Sequence, residues 1–139
     1  MIYVKTMSYS ILINGVPKGC INPTRGLRQG DPISPYLFLL CVEGLSVMIG
    51  REVSLGRLKG VQVCGKAPQI SHLLFAEDSI IFYRTSLEES NLVIKILLDY
   101  EGDSRQKLNM EKTSLFFSKN TKREVQEGVK NVFGAQIIQ

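Results

Sequence analysis

The stretch ISHLLFAEDSIIFY, residues 70–83, decides how the chain can fold. Two almost wholly apolar runs, residues 70–75 and residues 79–83, flank the short link Ala76-Glu77-Asp78. Apolar runs of this length are typical of strands buried on both faces, and a short link between two of them predicts a β-hairpin. The sequence therefore predicts a buried hairpin with two adjacent carboxylates at its tip.

Helical patterns flank this hairpin on both sides. Ser34-Pro35 is a typical helix start, because serine caps an N-terminus and proline fits the first helical position. Apolar residues then recur at three- and four-residue spacing, which predicts a helix from about residue 35 to residue 53. The capping box Ser86-Leu87-Glu88-Glu89 predicts a second helix that continues to about residue 103.

Shorter signals complete the pattern. Residues 9–13 alternate and end at Asn14-Gly15, a pair that predicts a tight hairpin turn. Thr121-Lys122-Arg123-Glu124 is a second capping box and predicts a third helix that ends at Gly134. Further short strands are expected at residues 60–63 and 113–117. The middle of the chain then has the order α-β-β-α-β, which is a split βαβ arrangement without its first strand.

Composition and charge restrict the classes of function. The 139 residues include 17 Lys and Arg against 13 Asp and Glu, and residues 1–60 hold the whole excess of +4. A basic half favours a polyanionic partner, and the alternative is an ordinary surface with a slight basic bias. His72 is the only histidine, and Cys20, Cys41 and Cys64 lie far apart, so zinc and Ser-His-Asp sites are not expected.

We interpret these cysteines as reduced packing residues of an intracellular protein. No apolar run approaches the roughly 20 residues that cross a bilayer, and the first residues do not resemble a secretory signal.

Glu77 and Asp78 form the first candidate site. Adjacent carboxylates at a hairpin tip repel each other, and a divalent cation such as Mg²⁺ makes the arrangement favourable. The alternative is a solvated acidic turn.

The loop RGLRQGDP, residues 25–32, is the second candidate site. Its glycines allow close backbone approach, its two arginines suit phosphate, and Gln29 can bind a base edge or sugar. The alternative is a surface loop before a capped helix. Residues 107–113 contain a lysine just before a strand, which is either a phosphate contact or a solvated side chain.

Together these segments resemble the reverse transcriptases of non-LTR (LINE-type) retrotransposons. The string GLRQGDPISPYLF, residues 26–38, looks like motif B of that family, and the likeness continues to Ser46. Residues 71–79, SHLLFAEDS, resemble motif C, and residues 106–113, QKLNMEKT, resemble motif D. The whole chain, residues 1–139, then reads as one partial domain with motif B at about 25–46, motif C at about 71–83 and motif D at about 106–117.

The resemblance implies a polymerase palm, an α+β fold with a split βαβ, ferredoxin-like sheet and helices on one face. It implies that the 3′-hydroxyl of a DNA primer attacks the α-phosphate of a dNTP on an RNA template, with two Mg²⁺ ions and in the nucleus. Glu77 and Asp78 are implied as catalytic, metal-binding residues, and Lys112 as a catalytic residue near the triphosphate. The residues implied in nucleotide and template binding are Arg25, Arg28, Gln29 and Gly30.

Two departures from the family bear on activity. Motif A of the family supplies a metal-binding Asp ahead of residues 9–13, and residues 1–8 of this sequence contain no acidic side chain. Glu77 stands where the family has Asp, and its extra methylene displaces the carboxylate by about 1.5 Å. We therefore expect a polymerase fragment that is inactive alone. The alternative is a non-catalytic, nucleic-acid-binding remnant that uses the basic motif B loop.

The missing first strand also has a structural consequence. In a split βαβ sheet that strand lies between the hairpin and the last strand, so residues 70–83 and 113–117 are left without a shared neighbour. Unpaired edges and exposed apolar side chains favour association. We expect a marginal, aggregation-prone protein unless the gap closes or another chain fills it.

Overall fold

The computed structural model describes residues 8–22, 30, 32–75, 78–104 and 106–134, and the backbone of residues 136–137. The chain forms two compact units, Met1–Leu40 and Cys41–Gln139. The described residues contain three α-helices and three two-stranded sheets. The predicted α+β class is therefore confirmed, and the architecture is compatible with a partial polymerase palm.

A β-hairpin forms the described start of the first unit. Strand β1 (Tyr9–Ile13) pairs antiparallel with strand β2 (Val16–Ile21). Asn14 and Gly15 between them have φ values of 51° and 79°. A type I′ turn needs positive φ at both central residues, which Asn-Gly adopts readily. The predicted hairpin turn is confirmed.

Helix α1 (Ser34–Ser54) follows, one residue longer at each end than the sequence predicts. Its buried residues within the second unit are Leu45, Ile49 and Glu52. Arg57 holds the Glu52 carboxylate, with Nε 2.7 Å from Oε2 and Nη2 donating to Oε1 at 2.9 Å. A two-pronged contact of this kind offsets part of the cost of burying a carboxylate.

The predicted central hairpin consists of strands β3 (His72–Phe75) and β4 (Asp78–Ile81), paired antiparallel. The expectation that its arms are buried on both faces is wrong, because Leu73, Phe75 and Ile80 are exposed. Among the described residues these strands form a two-stranded sheet of their own, so no further named strand pairs with either edge.

The strand expected at residues 60–63 is reduced to a single bridge. Val61 and Ile70 exchange two backbone hydrogen bonds of 2.8 Å, and the described neighbours of this pair add no ladder.

Helix α2 (Leu87–Ser104) begins one residue after its predicted cap. The Ser86 hydroxyl accepts a hydrogen bond from the Glu89 N–H at 3.2 Å, which is half of the predicted capping box. The Glu89 carboxylate instead accepts from the N–H groups of Lys59 and Arg84, at 3.0 and 3.1 Å. Glu89 thus joins the segment after α1 to the segment after β4.

The last elements are strand β5 (Ser114–Leu115), helix α3 (Arg123–Phe133) and strand β6 (Gln136–Ile137), with β5 and β6 parallel. Gly134 ends α3 as predicted, with φ 60° and its N–H donating to the Lys130 carbonyl at 2.8 Å. The second predicted capping box is wrong. Lys122 occupies the N-cap, and no side chain caps the helix.

The core of the second unit lies where α1, α2 and α3 contribute apolar side chains. Its buried members among the described residues are Leu45, Ile49, Leu58, Val93, Ile96, Tyr100, Leu115, Val129 and Phe133. The cysteines carry free thiols, but Cys20 and Cys64 are exposed and only Cys41 is half-buried. The interpretation of all three as packing residues is therefore wrong for two of them.

Among the described residues, no helix has both the length and the hydropathy needed to cross a bilayer.

Candidate active site

Asp78 occupies the first position of β4, at the tip of the central hairpin. Its partner across the ladder is Phe75, the last residue of β3. The Asp78 side chain is exposed, and within the described residues its carboxylate forms no hydrogen bond or ion pair. Glu77, the other predicted catalytic and metal-binding residue, lies outside the described residues.

A histidine links this hairpin to the motif B helix. The Nε2 atom of His72 on β3 lies 2.9 Å from the Ser46 hydroxyl on α1. The Nδ1 atom lies 2.9 Å from the Ser71 hydroxyl. His72 is half-buried, so the link holds the base of the Asp78-bearing hairpin against α1.

The sequence pattern does not predict the link between His72 and Ser46. No Ser-His-Asp site is expected at His72, and the structure places a serine hydroxyl at each of its ring nitrogens. No carboxylate among the described residues orients the ring, and the contacts join an element to an element rather than forming a nucleophilic centre. One signal for the link was the position of each residue in its element. His72 and Leu74 lie on the same, less exposed face of β3, and Ser46 follows the buried Leu45.

Lys112 lies in the turn before β5. Its backbone N–H donates to the Asn109 carbonyl and side-chain oxygen, each at 3.2 Å. The Thr113 hydroxyl donates to the same carbonyl at 2.9 Å. The Lys112 side chain is exposed, and within the described part of the chain its ammonium group forms no ion pair. The turn is thus ordered by Asn109, while the lysine head group stays available.

The predicted nucleotide-binding loop is represented here by Gly30. Its φ of 84° is in the left-handed region, which glycine adopts without steric cost. The other three predicted residues of this loop, Arg25, Arg28 and Gln29, lie outside the described residues.

The donor set for Mg²⁺ is incomplete in the described ranges. Carboxylate oxygens are suitable ligands, and Asp78 supplies one free carboxylate at the hairpin tip. However, these ranges contain no group of three His, Cys, Asp or Glu residues that could hold a metal ion. The described residues alone therefore do not make a complete metal site.

Comparisons with known proteins agree with this arrangement. An uncharacterized mitochondrial protein of Arabidopsis thaliana is 56% identical over 68 residues, which are 49% of this chain and 56% of that protein. The chain thus spans little more than half the length of that relative. The model of the family described as reverse transcriptase (RNA-dependent DNA polymerase) matches residues 2–131. Because this match includes α1, the central hairpin, α2 and β5, the chain belongs to the reverse transcriptase family.

Proposed function

We propose that the chain is a section of an RNA-directed DNA polymerase of the non-LTR, LINE type, carrying its motifs B, C and D. The observation that carries the proposal is the geometry of the central hairpin. It presents the free Asp78 carboxylate at an exposed tip, next in sequence to Glu77, while His72 ties its base to α1. Two carboxylates adjacent in sequence on an anchored hairpin are suited to binding Mg²⁺ and a triphosphate.

In the proposed reaction, a primer 3′-hydroxyl attacks the α-phosphate of a dNTP opposite an RNA template. Glu77 and Asp78 are the residues that would hold Mg²⁺, which when bound lowers the pKa of the attacking hydroxyl and stabilises negative charge on phosphate. Lys112 is proposed to donate a proton or a hydrogen bond to the leaving pyrophosphate. The residues proposed to position nucleotide and template are Arg25, Arg28, Gln29 and Gly30.

The proposed metal site of this chain is defective in two respects. Glu77 places its carboxylate about 1.5 Å beyond the position of an aspartate, and misplacement by about 1 Å can cost about a hundredfold in rate. Residues 1–8 contribute no carboxylate to a metal site. The 139-residue chain by itself is therefore proposed to be inactive. We further propose an intracellular location, with action in the nucleus.

A chimera tests the function. Residues 2–131 would replace the matching segment of an active LINE-type reverse transcriptase, and primer extension on an RNA template would be measured with Mg²⁺. We expect the unaltered chimera to be about a hundredfold slower than its parent. Glu77→Asp should restore most of the rate, and Asp78→Asn should abolish it.

The matched control is Ser79→Ala, a neighbouring exposed position outside the carboxylate pair. A folded Glu77→Asp chimera without gain in extension would contradict the assignment of Glu77. Extension by the Asp78→Asn chimera would contradict the role of Asp78. Extension by the isolated 139-residue chain, abolished by Glu77→Ala, would refute the proposed defect.

A second candidate function is a non-catalytic nucleic-acid-binding remnant. The net charge of +4 carried by residues 1–60 favours it. Binding of RNA or DNA would then weaken with salt, and Arg25→Ala with Arg28→Ala would remove it. Absence of a mobility shift at low salt would rule it out.

A further inference from the structure

The segment from the end of β5 to the start of α3, residues 116–123, combines one exposed aromatic ring with a cluster of cations. Its sequence is FFSKNTKR, with three cations and no acidic residue. Acidic and basic residues balance over residues 61–139, so this segment stands out from its surroundings. We call it the β5–α3 segment.

Phe116 points away from the core at this position. Leu115, the residue before it, is only 8% exposed, whereas Phe116 is 74% exposed. Phe117, the residue after it, is half-buried and packs against the core. Because Leu115 is buried and Phe117 packs against the core, both neighbours anchor the backbone that carries the Phe116 ring.

The cations of the segment follow within a few residues. The Thr121 N–H donates to the Ser118 carbonyl at 2.9 Å, closing a turn that carries Lys119. Lys122 and Arg123 come next, at the start of α3. All three cationic side chains are exposed.

These cations are largely uncommitted. Arg123 pairs with Glu127 at 3.7 Å, with the two side chains 92% and 67% exposed. An ion pair so open to water contributes little and is readily exchanged. Within the described residues, the ammonium groups of Lys119 and Lys122 form no ion pair or hydrogen bond.

We propose that the β5–α3 segment binds single-stranded nucleic acid, with a base stacked on Phe116 and phosphates held by Lys119, Lys122 and Arg123. An aromatic face beside a run of cations matches the two parts of a nucleotide, and stacking is possible with any base. The inference rests on the proposed function, because it adds a contact for template or primer beyond the motif B loop.

The test is fluorescence anisotropy of a labelled oligo(dT) strand titrated with the full chain at low salt. Phe116→Ala should weaken binding at least about fivefold, and Phe116→Tyr, which keeps a stacking face, should bind like the wild type. Replacing the three cations together, by Lys119→Gln, Lys122→Gln and Arg123→Gln, should also weaken binding. It should make the slope of log affinity against log salt shallower by about 2.

Matched controls separate this site from a general charge effect. A triple variant at exposed positions elsewhere, Lys59→Gln, Lys66→Gln and Lys95→Gln, removes the same charge. Val63→Ala shortens another exposed apolar side chain. Both controls should leave the affinity within about twofold of the wild type, and circular dichroism should confirm that every variant is folded.

Each other outcome overturns the inference. An equal loss of oligo(dT) affinity in the two triple variants would mean that binding depends on overall positive charge and not on a local site. An unchanged affinity for Phe116→Ala would exclude stacking. Loss of self-association, rather than of oligo(dT) binding, would assign the ring to a contact between copies. Absence of binding by the wild type would reject this site, while the proposed polymerase function would still be decided by the chimera.

Discussion

At the scale of single residues, the His72 link depends on the hydrogen-bonding capacity of two serine hydroxyls. A neutral imidazole donates from one ring nitrogen and accepts at the other, whereas the protonated ring donates from both. Ser46 and Ser71 are hydroxyl partners, each able to donate or to accept. The two hydroxyl partners of the link between α1 and the central hairpin can therefore match either tautomer of His72.

The first prediction concerns the strength of this link. His72→Ala and Ser46→Ala should each lower the free energy of unfolding by about 1 kcal/mol, the usual value of a lost hydrogen bond. In the double variant the losses should not add, with a coupling of about 1 kcal/mol. Urea denaturation measures the free energy of unfolding of the two single variants and the double variant. Ser79→Ala, at an exposed position, is the control. Full additivity would show that the two side chains do not interact in solution.

A second prediction concerns Tyr100, whose hydroxyl donates to the Gln106 side-chain oxygen at 2.6 Å. Burial raises the pKa of Tyr100 above its usual 10.0, because the phenolate is poorly solvated there. The folded protein then keeps a proton that the unfolded chain releases above about pH 10. This contribution to stability is complete below that pH and is lost as the pH rises through the folded-state pKa.

The measurement is urea denaturation of the wild type and Tyr100→Phe from neutral pH into the alkaline range. The free energy of unfolding of the wild type should fall above pH 10, and Tyr100→Phe should show a smaller fall. Tyr9→Phe, at an exposed position, is the control. Identical pH profiles for the wild type and Tyr100→Phe would contradict the assignment.

At the scale of elements, the bridge between Val61 and Ile70 depends on its neighbour Gly60. A Cβ atom at Gly60 would lie against the Ile70 carbonyl oxygen and 2.6 Å from the carbonyl carbon. Backbone atoms cannot rotate aside as a side chain can, so the bridge would have to move. The close approach explains glycine at this position without any special φ value.

The third prediction follows from this contact. Gly60→Ala should lower the free energy of unfolding by about 1–3 kcal/mol, the usual cost of forcing extra volume into a packed position. Gly65→Ala is the matched control, because a Cβ there meets nothing within 4 Å. Thermal or urea denaturation compares the two variants. Equal stability of both would mean that residues 60–70 rearrange at little cost.

At the scale of the whole molecule, the exposed face of the central hairpin governs solution behaviour. Leu73 and Ile80 lie opposite each other on β3 and β4 and are 51% and 55% exposed. Together with Phe75 they form an apolar surface beside strand edges that the described residues leave unpaired. Surfaces of this kind favour association between chains.

The fourth prediction is that the chain associates as its concentration rises and that Leu73→Thr with Ile80→Thr reduces this association. Threonine has the β-branched shape that strands favour, so the free energy of unfolding should change by less than about 1 kcal/mol. Light scattering with size-exclusion chromatography measures the association, and Val63→Thr is the control at another exposed position. A cooperative, concentration-independent unfolding transition of a wild-type monomer would contradict the prediction.

An element can be predicted from the sequence when the interactions that form it join residues close together in the chain. Asn14-Gly15, Ser34-Pro35 and Gly134 act on their own backbone, and the turn and helix limits at these positions agree with the structure to within one residue. The capping box wrongly assigned the Glu89 carboxylate to the start of its own helix. The carboxylate accepts from the N–H of Lys59, which is 30 residues away, and a local pattern does not predict so distant a donor.

The resemblance of its motif strings indicated the reverse transcriptase family. The sequence by itself determined the α+β class, the order of the three helices and the central hairpin, and the location of Asp78 at a hairpin tip. These properties follow from spacing, turn chemistry and hydrophobic period, which are local. Only the tertiary structure decided that His72 joins the hairpin to α1 and that one hairpin face is exposed. Contacts between segments that are distant in sequence depend on which surfaces pack together in the folded chain. A residue pattern along the chain does not specify that packing.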